Sequence, residues 1–537
     1  MPRPPRASDA PPFGPSWLPL PTGEESAAFD AWAMDELGVP QPVLMENAGR
    51  AAAELLQHLH PRGRVVGLVG AGNNGGDCMV LLRTLKAWGR DVVAVRAAPR
   101  EDLKGPAPSL AHGWGLEVRD DRAMDGDAFA QLVDRAVVVD GILGTGIRGA
   151  PRERQARLIR WLGASEAPVL ALDIASGVDA ATGAVAGEAV QADTTVSFGA
   201  PKLGCLLAPG RIRCGRVVSV EMGFPPLEGL EHGAFAVTPA WAAGRIPVRD
   251  PDTHKNAVGR LVVVAGGRGM AGAAVLATRA GFRAGAGLVQ VVSHPDNRTI
   301  LQGAVPEAIF LDAADEAALA SALSDADAVA AGPGLGTDAW ATELMEKALD
   351  GSSGVGTVLD ADALNLVAAG ALPAPKALGE DRPLLLTPHP GEMRRLAEGL
   401  ELGSLPDDAV GRVRAAAEAW GCAVLLKGAP SVVAAPGEPV AVSLDGSSDL
   451  AVAGMGDVLT GTSGAALAQI RGRPLAARDA GALALHWTGR AAARAGRGAA
   501  LTPSDVLRGL QEARGERGGG ATDLPMPFVT FDLAAPR

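Results

Sequence analysis

Short apolar runs that stop at glycine or aspartate recur along this chain, and amphipathic segments of helical period separate them. VVGLVGAG (Val65 to Gly72), AVVVDGILG (Ala136 to Gly144) and PVLALDIASG (Pro168 to Gly177) are the clearest in the first half. Continuous apolar character, without a polar residue at every second position, predicts strands buried on both faces, the condition of parallel sheets covered by helices. Between two of these runs, MVLLRTLKAWG places Leu81, Leu85 and Trp88 on one helical face, with Gly89 as the C-terminal stop. Strand alternating with helix predicts an α/β layer architecture.

The pattern lapses between Phe224 and Thr253, a stretch rich in Pro and Gly, and restarts with RLVVVAGG, DAVAAGPGLG, GTVLDADALN, PLLLTPHPGE and CAVLLKG. With 537 residues, two large domains are expected: one over 21–230 and a second over 235–537. Residues 1–20 are Pro-rich and without period, and are expected to form a disordered tail. From Glu24 to His60 a helical pattern runs around an interruption at Pro40 and Pro42. The loop sequences of the two halves differ, so two unrelated sites are expected instead of one duplicated site.

Charge narrows the partners. Lys and Arg total 49 against 61 Asp and Glu, a formal charge of −12, which argues against nucleic acid or another extended polyanion. Net charge limits diffuse attraction only, so a local basic pocket can still hold a small phosphorylated ligand. Cys78, Cys205, Cys214 and Cys422 lie far apart without metal-ligand or disulfide spacing, which fits a reducing cytoplasm. No apolar stretch is long enough to span a membrane, and a homo-oligomer is expected.

In the first half, GAGNNGGDC (Gly70 to Cys78) joins a strand to a helix. Glycine-rich backbone entering a helix N-terminus offers unpaired N–H groups to an anion, although the same pattern also makes tight structural turns. Parallel sheets gather the carboxyl ends of their strands along one crevice, which brings Asp140 and Asp173 together. A single strand-end aspartate is often a cap. Two carboxylates with the Ser176 hydroxyl and the Asn73 and Asn74 amides suit oxygen coordination of a cation.

MENAGR, GNNGGD, VDGILGTGIRG, LDIASGVDAATG, ADTTVSFGAPKLG and VVSVEMG follow one another in this order. This set, from about residue 24 to 224, resembles the NAD(P)H-hydrate epimerase domain, a Rossmann-like fold. The resemblance implies interconversion of the R and S epimers of hydrated NADH and NADPH, with potassium held by Asn74, Asp140 and Ser176. It also implies that the hydrated cofactor is held by Asn73, Asn74, Gly75, Gly76 and Asp77, by Gly144, Thr145, Gly146, Ile147, Arg148, Gly149 and Ala150, and by Asp173. Epimerisation at the hydroxyl-bearing carbon needs a proton shuttle. Asp173 is the candidate acid/base, with Lys202 second; a surface ion pair is the alternative role for Lys202. Cys78 and Ala175 stand where the family usually has Gly and Pro.

In the second half, AGMGDVLTG places a carboxylate beside backbone N–H groups at a helix start, which suits deprotonating an alcohol as it attacks phosphate. A GMGD turn alone can also be a helix cap. HKNAVGRLVVVAGG, GPGLG, DADALN, TPHPGEMRRL, LKGAP and GMGDVLTG together, over about residues 250–512, resemble the ADP-dependent NAD(P)H-hydrate dehydratases of the ribokinase-like superfamily. The whole chain is thus expected to be two three-layer αβα domains, a Rossmann-like epimerase followed by a ribokinase-like dehydratase. The resemblance implies ADP as phosphoryl donor, with magnesium, and Asp457 as base beside an anion hole at Gly454 to Gly456. Lys427, Gly428, Ala429, Pro430 and Ser431 with Gly456 would bind the nucleotide. Gly334 and His389 would touch the hydrated cofactor, with structural hydrogen bonding the alternative for His389. Arg268, Val452 and Ala453 depart from the family pattern. The rival to this reading is a ribokinase-like small-molecule kinase fused to a non-catalytic binding domain.

Overall fold

The structure, a computed structural model, describes residues 18–99, 115–227, 230, 232–246, 249, 251–255, 257–516, 523–524 and 529–535. Two compact units emerge, Met1–Phe235 with Gly520–Arg537, and Ala236–Gly519. The division falls inside the expected stretch. The first 17 residues of the expected tail lie outside the described residues, but the tail reading extends too far: Leu18 and Leu20 are buried, and the Leu20 N–H donates to the Ala234 carbonyl.

The first unit opens with α1 (Gly23–Asp35), started by a Thr22 and Glu25 capping box, and α2 (Gln41–Leu59), which has proline in its first turn. Then come β1 (Arg64–Val69), α3 (Asn73–Ala87), β2 (Val92–Arg96), β3 (Glu117–Asp120), α4 (Gly126–Val133), β4 (Ala136–Gly141), α5 (Glu153–Gly163), β5 (Val169–Leu172), β6 (Thr194–Phe198) and β7 (Arg216–Val220). The strands β7-β6-β5-β4-β1-β2-β3 form a parallel sheet in that order. In β1, Val65 and Val69 face the α2 and α3 cluster, and Val66 and Leu68 are equally buried on the other face. Both faces are covered, so three layers result. The sheet order reverses between β1 and β4, which puts the ligand crevice at the carboxyl ends of these two strands.

Two details correct the sequence reading. Trp88 does not share the buried face of Leu81 and Leu85; it is 44% exposed at the helix C-cap. The chain's last strand, Val529–Leu533, does not belong to the second domain. It pairs antiparallel with β7 and completes the eight-stranded sheet of the first unit.

In the second unit the strands are β8 (Arg260–Val264), β9 (Leu288–Ser293), β10 (Ile309–Asp312), β11 (Ala328–Ala331), β12 (Gly356–Leu359), β13 (Leu384–Leu386), β14 (Ala423–Leu426), β15 (Val432–Ala434) and β16 (Val440–Ser443). Their order is β16-β15-β14-β13-β12-β11-β8-β9-β10. From β14 to β10 the pairing is parallel, and β15 and β16 add antiparallel. Here the order reverses between β8 and β11. Helix α6 (Ala271–Arg283) follows β8, and α7 (Met455–Gln469) carries the GMGD turn at its start. All five apolar runs of the second half are strands, as expected.

Candidate functional site

In the first unit, a cavity of about 480 Å³ opens at the β1–β4 reversal. The GAGNNGGD segment reaches it because its glycines remove side chains where backbones meet. A Cβ on Gly75 would lie 2.1 Å from the Gly70 carbonyl oxygen, so α3 can start against the β1 end only with glycine there. Asn73, Asn74, Asp77, Gly144, Thr145, Gly146, Ile147, Asp173 and Lys202 all line the cavity. Gly75, Gly76, Arg148, Gly149 and Ala150 do not. Gly75 and Gly76 are buried within α3, and Arg148 pairs with Glu24 at the surface.

Asp173 follows β5 with a left-handed φ of 63°. This unusual backbone aims its carboxylate at the Lys202 Nζ, 2.6 Å away. The ammonium also donates to the Phe198 carbonyl at 3.0 Å, and the Lys202 side chain is only 3% exposed. Lys202 is therefore not a surface ion pair. The sequence reading missed Asp30, which lines the same cavity from α1. Burial pushes its carboxyl up to about 6, against the lowering effect of Lys202 and with a further rise from Asp173. Asp77 is raised well above the usual carboxylate range by burial and by Asp173 and Asp30. Burial thus favours the protonated forms of Asp30 and Asp77 beside the Asp173–Lys202 pair.

Asp140 and Ser176 sit behind the cavity lining, fully buried. The Asp140 carboxylate accepts from the Ser176 hydroxyl at 2.6 Å, the Ser176 N–H at 2.8 Å and the Ile142 N–H at 3.2 Å. Asn74 donates its Nδ2 to the Leu143 carbonyl at 2.8 Å, while its Oδ1 is buried and has no hydrogen-bond partner among the described residues. An orphaned amide oxygen is costly unless something electropositive faces it. Neutral oxygens with one carboxylate suit a monovalent cation, and among the described residues no group of three or more His, Cys, Asp or Glu makes a divalent site. Cys78 does not disturb the cavity: its side chain is buried between Gly67 and Gly141 in the helix–sheet seam.

In the second unit, Asp457 lies in the first turn of α7, a 15-residue helix whose N-cap, Gly454, has φ 88°. The first N–H groups of such a helix have no intrahelical acceptor and face outward with the positive end of the dipole. Asp457 is raised to about 6 by burial and by the like charge of Asp360, against the lowering effect of Lys427. Asp360, 1% exposed, ends β12 and accepts from Lys427 Nζ at 2.5 Å and from the Thr460 hydroxyl at 2.5 Å. Its part in the site was hidden within DADALN. The Lys427 Nζ therefore lies between Asp360 and the start of α7, 3.5 Å from where a Cβ on Gly456 would stand; in the Lys427 loop the Gly428 N–H donates to the Ser431 hydroxyl.

Gly334 closes the β8–β11 reversal: its carbonyl accepts from the Gly267 N–H at 2.7 Å. His389 is an N-cap. Its Nδ1 accepts from the N–H groups of Gly391 and Glu392, and Glu392 returns a bond to the His389 N–H, which places the ring proton on Nε2. The side chain is still 49% exposed, so the capping role leaves its Nε2 edge accessible.

Residues 41–204 match the family model described as YjeF-related protein N-terminus, and residues 261–511 match that described as NAD(P)H-hydrate dehydratase. The bifunctional NAD(P)H-hydrate repair enzyme Nnr of Moorella thermoacetica is 34% identical over 540 residues, covering 96% of this chain and 97% of the relative. The chain belongs to the bifunctional NAD(P)H-hydrate repair enzymes. The Escherichia coli K12 relative of the same name is 34% identical, over 81% of this chain and 82% of its own length. A Bacillus subtilis ADP/ATP-dependent NAD(P)H-hydrate dehydratase, crystallised with ATP and Mg2+, aligns over 51% of this chain and 96% of its own, at 25% identity and a TM-score of 0.42.

For this repair enzyme a pH dependence of the second site is expected from Asp457. If Asp457 must be ionised to act, dehydration rises with pH through about 6. Asp360→Asn removes a like charge and frees Lys427, and both changes favour the ionised form of Asp457. The acidic limb of the rate profile is expected to move down by about one pH unit. A profile that does not move, or that moves upward, would show that Asp360 does not act on the base.

Proposed function

We propose that the first unit interconverts the R and S epimers of hydrated NADH and NADPH, and that the second dehydrates the S form at the expense of ADP. The observation that carries the second half is Asp457, a carboxyl held near neutrality among helix N-terminal N–H groups. It takes the substrate's hydroxyl proton as that oxygen attacks the β-phosphorus of ADP, and AMP leaves. The phosphate then departs with the C–O electron pair, pushed by the ring nitrogen, and loss of a proton from the adjacent carbon restores the double bond. The loop from Lys427 to Ser431 and Gly456 hold the nucleotide, and Gly334 and His389 border the hydrated cofactor. Magnesium bound with the nucleotide would neutralise phosphate charge.

In the first unit, Asp173, held in place by Lys202, is the acid/base through which a proton taken up from the site passes to the departing hydroxyl and returns from the incoming water. Asn74, Asp140 and Ser176 would hold potassium, which would fix oxygen atoms of the substrate. The deciding experiment incubates purified protein with a mixed-epimer hydrate and ADP. Regained nicotinamide absorbance with matching AMP and free phosphate supports the reading; a stable phosphate ester would mean a kinase.

Asp140→Ala is expected to weaken potassium binding and epimer exchange together and leave dehydration of pure S hydrate unchanged. Exchange measured in potassium and in a bulky organic-cation buffer, for both proteins, checks this. Equal exchange in all four samples would reduce Asp140 to a strand-end cap.

A further inference from the structure

Away from the Asp457, Asp360 and Lys427 cluster, the second unit has a groove of about 900 Å³ lined by Arg249, Arg279, Arg283, Arg508 and Arg514, with Glu307 the one acidic residue among the described residues of its lining. Five guanidinium groups on one concavity stand out in a chain whose net charge is −12. Most of them are held by acceptors that carry no charge. Arg249 donates to the Gly285 carbonyl at 2.7 Å, Arg279 to the Ala304 carbonyl at 2.8 Å, and Arg514 to the Gln469 amide at 2.7 Å. Arg283 reaches the Gln511 amide at a long 3.4 Å, and Arg508 pairs with Asp505. Among the described residues, no carboxylate lies within ion-pair distance of Arg249, Arg279 or Arg283.

For Arg249, Arg279 and Arg283 these bonds orient the forks without a charged acceptor among the described residues, which is how proteins prepare a site for phosphate oxygens. Phe282 and Leu507 add apolar wall to the same groove, and its volume matches a small organic molecule. We infer that this groove is a second ligand site, one that takes a small molecule bearing a diphosphate or several phosphates on an organic body. It uses the C-terminal end of α6. The other end of that helix packs on Gly334, where a Cβ would meet Ala273 at 2.9 Å, and 13 residues of helix separate the two ends by about 20 Å.

The probe is inorganic pyrophosphate, titrated calorimetrically into the full-length protein, with sulfate at equal ionic strength as control. Saturable binding is expected. Arg279→Ser with Arg283→Ser removes two charge-assisted contacts and should weaken it about 100-fold, while dehydration and the KM for ADP stay within about twofold of wild type. Circular dichroism checks folding; should the double variant unfold, Arg508→Ser alone must weaken binding about tenfold. Four results would overturn the proposal: no saturable binding, equal binding by sulfate, binding that the substitutions leave unchanged, or substitutions that dissociate an assembly of copies of this chain.

Discussion

Asp457→Asn is expected to slow NAD(P)H-hydrate dehydration by about 100-fold to 10,000-fold while epimer exchange continues at the wild-type rate. The amide keeps the size of the side chain and loses only its ability to accept the hydroxyl proton. Asp360 cannot take over. It is almost fully buried and already accepts from Lys427 and the Thr460 hydroxyl. AMP release and nicotinamide absorbance, followed together on pure S hydrate, measure the loss. Near-normal rates would remove Asp457 from the chemistry and leave the GMGD turn as a helix cap.

The second large effect is expected from Asp173→Asn, with epimer exchange falling by about 100-fold or more and dehydration of S hydrate unaffected. Asparagine tolerates the left-handed backbone at this position as well as aspartate does, so the substitution tests the charge and not the loop. It also deprives the buried Lys202 ammonium of its closest carboxylate. Thermal melting therefore accompanies the assay, so that rates are compared where both proteins are folded. Exchange at the wild-type rate would transfer the proton shuttle to another group, with Asp30 the first to test.

The strands were readable because burial on both faces leaves an unbroken apolar run, as in AVVVD and ALD, and because strand ends in a parallel sheet share one edge. That logic put Asp140 and Asp173 at the ends of the neighbouring strands β4 and β5, although only Asp173 faces the crevice and Asp140 is buried behind its lining. It could not find Asp30, which sits on α1 in FDAWAMDELG with no glycine or strand end beside it; it meets Lys202 only through folding. The same limit explains Arg148, which was assigned to the first site with its loop, yet its long side chain points away from its neighbours in sequence to reach Glu24 at the surface. The strand Glu117–Asp120 left no apolar signal because it lies at the sheet edge with a mostly exposed pattern.

The return of the chain's end to the first sheet has a consequence for synthesis. Val529 pairs with Val220, so every residue of the second unit must leave the ribosome before the first sheet is complete. At about 5 to 20 residues per second this takes roughly 15 to 60 s. Throughout that interval the outer edge of β7 offers unpaired N–H and C=O groups to any extended strand nearby. A nascent chain paused in its last stretch would carry a closed dehydratase unit and an open epimerase edge, the state in which chaperone capture or edge-to-edge association competes with the chain's own final strand.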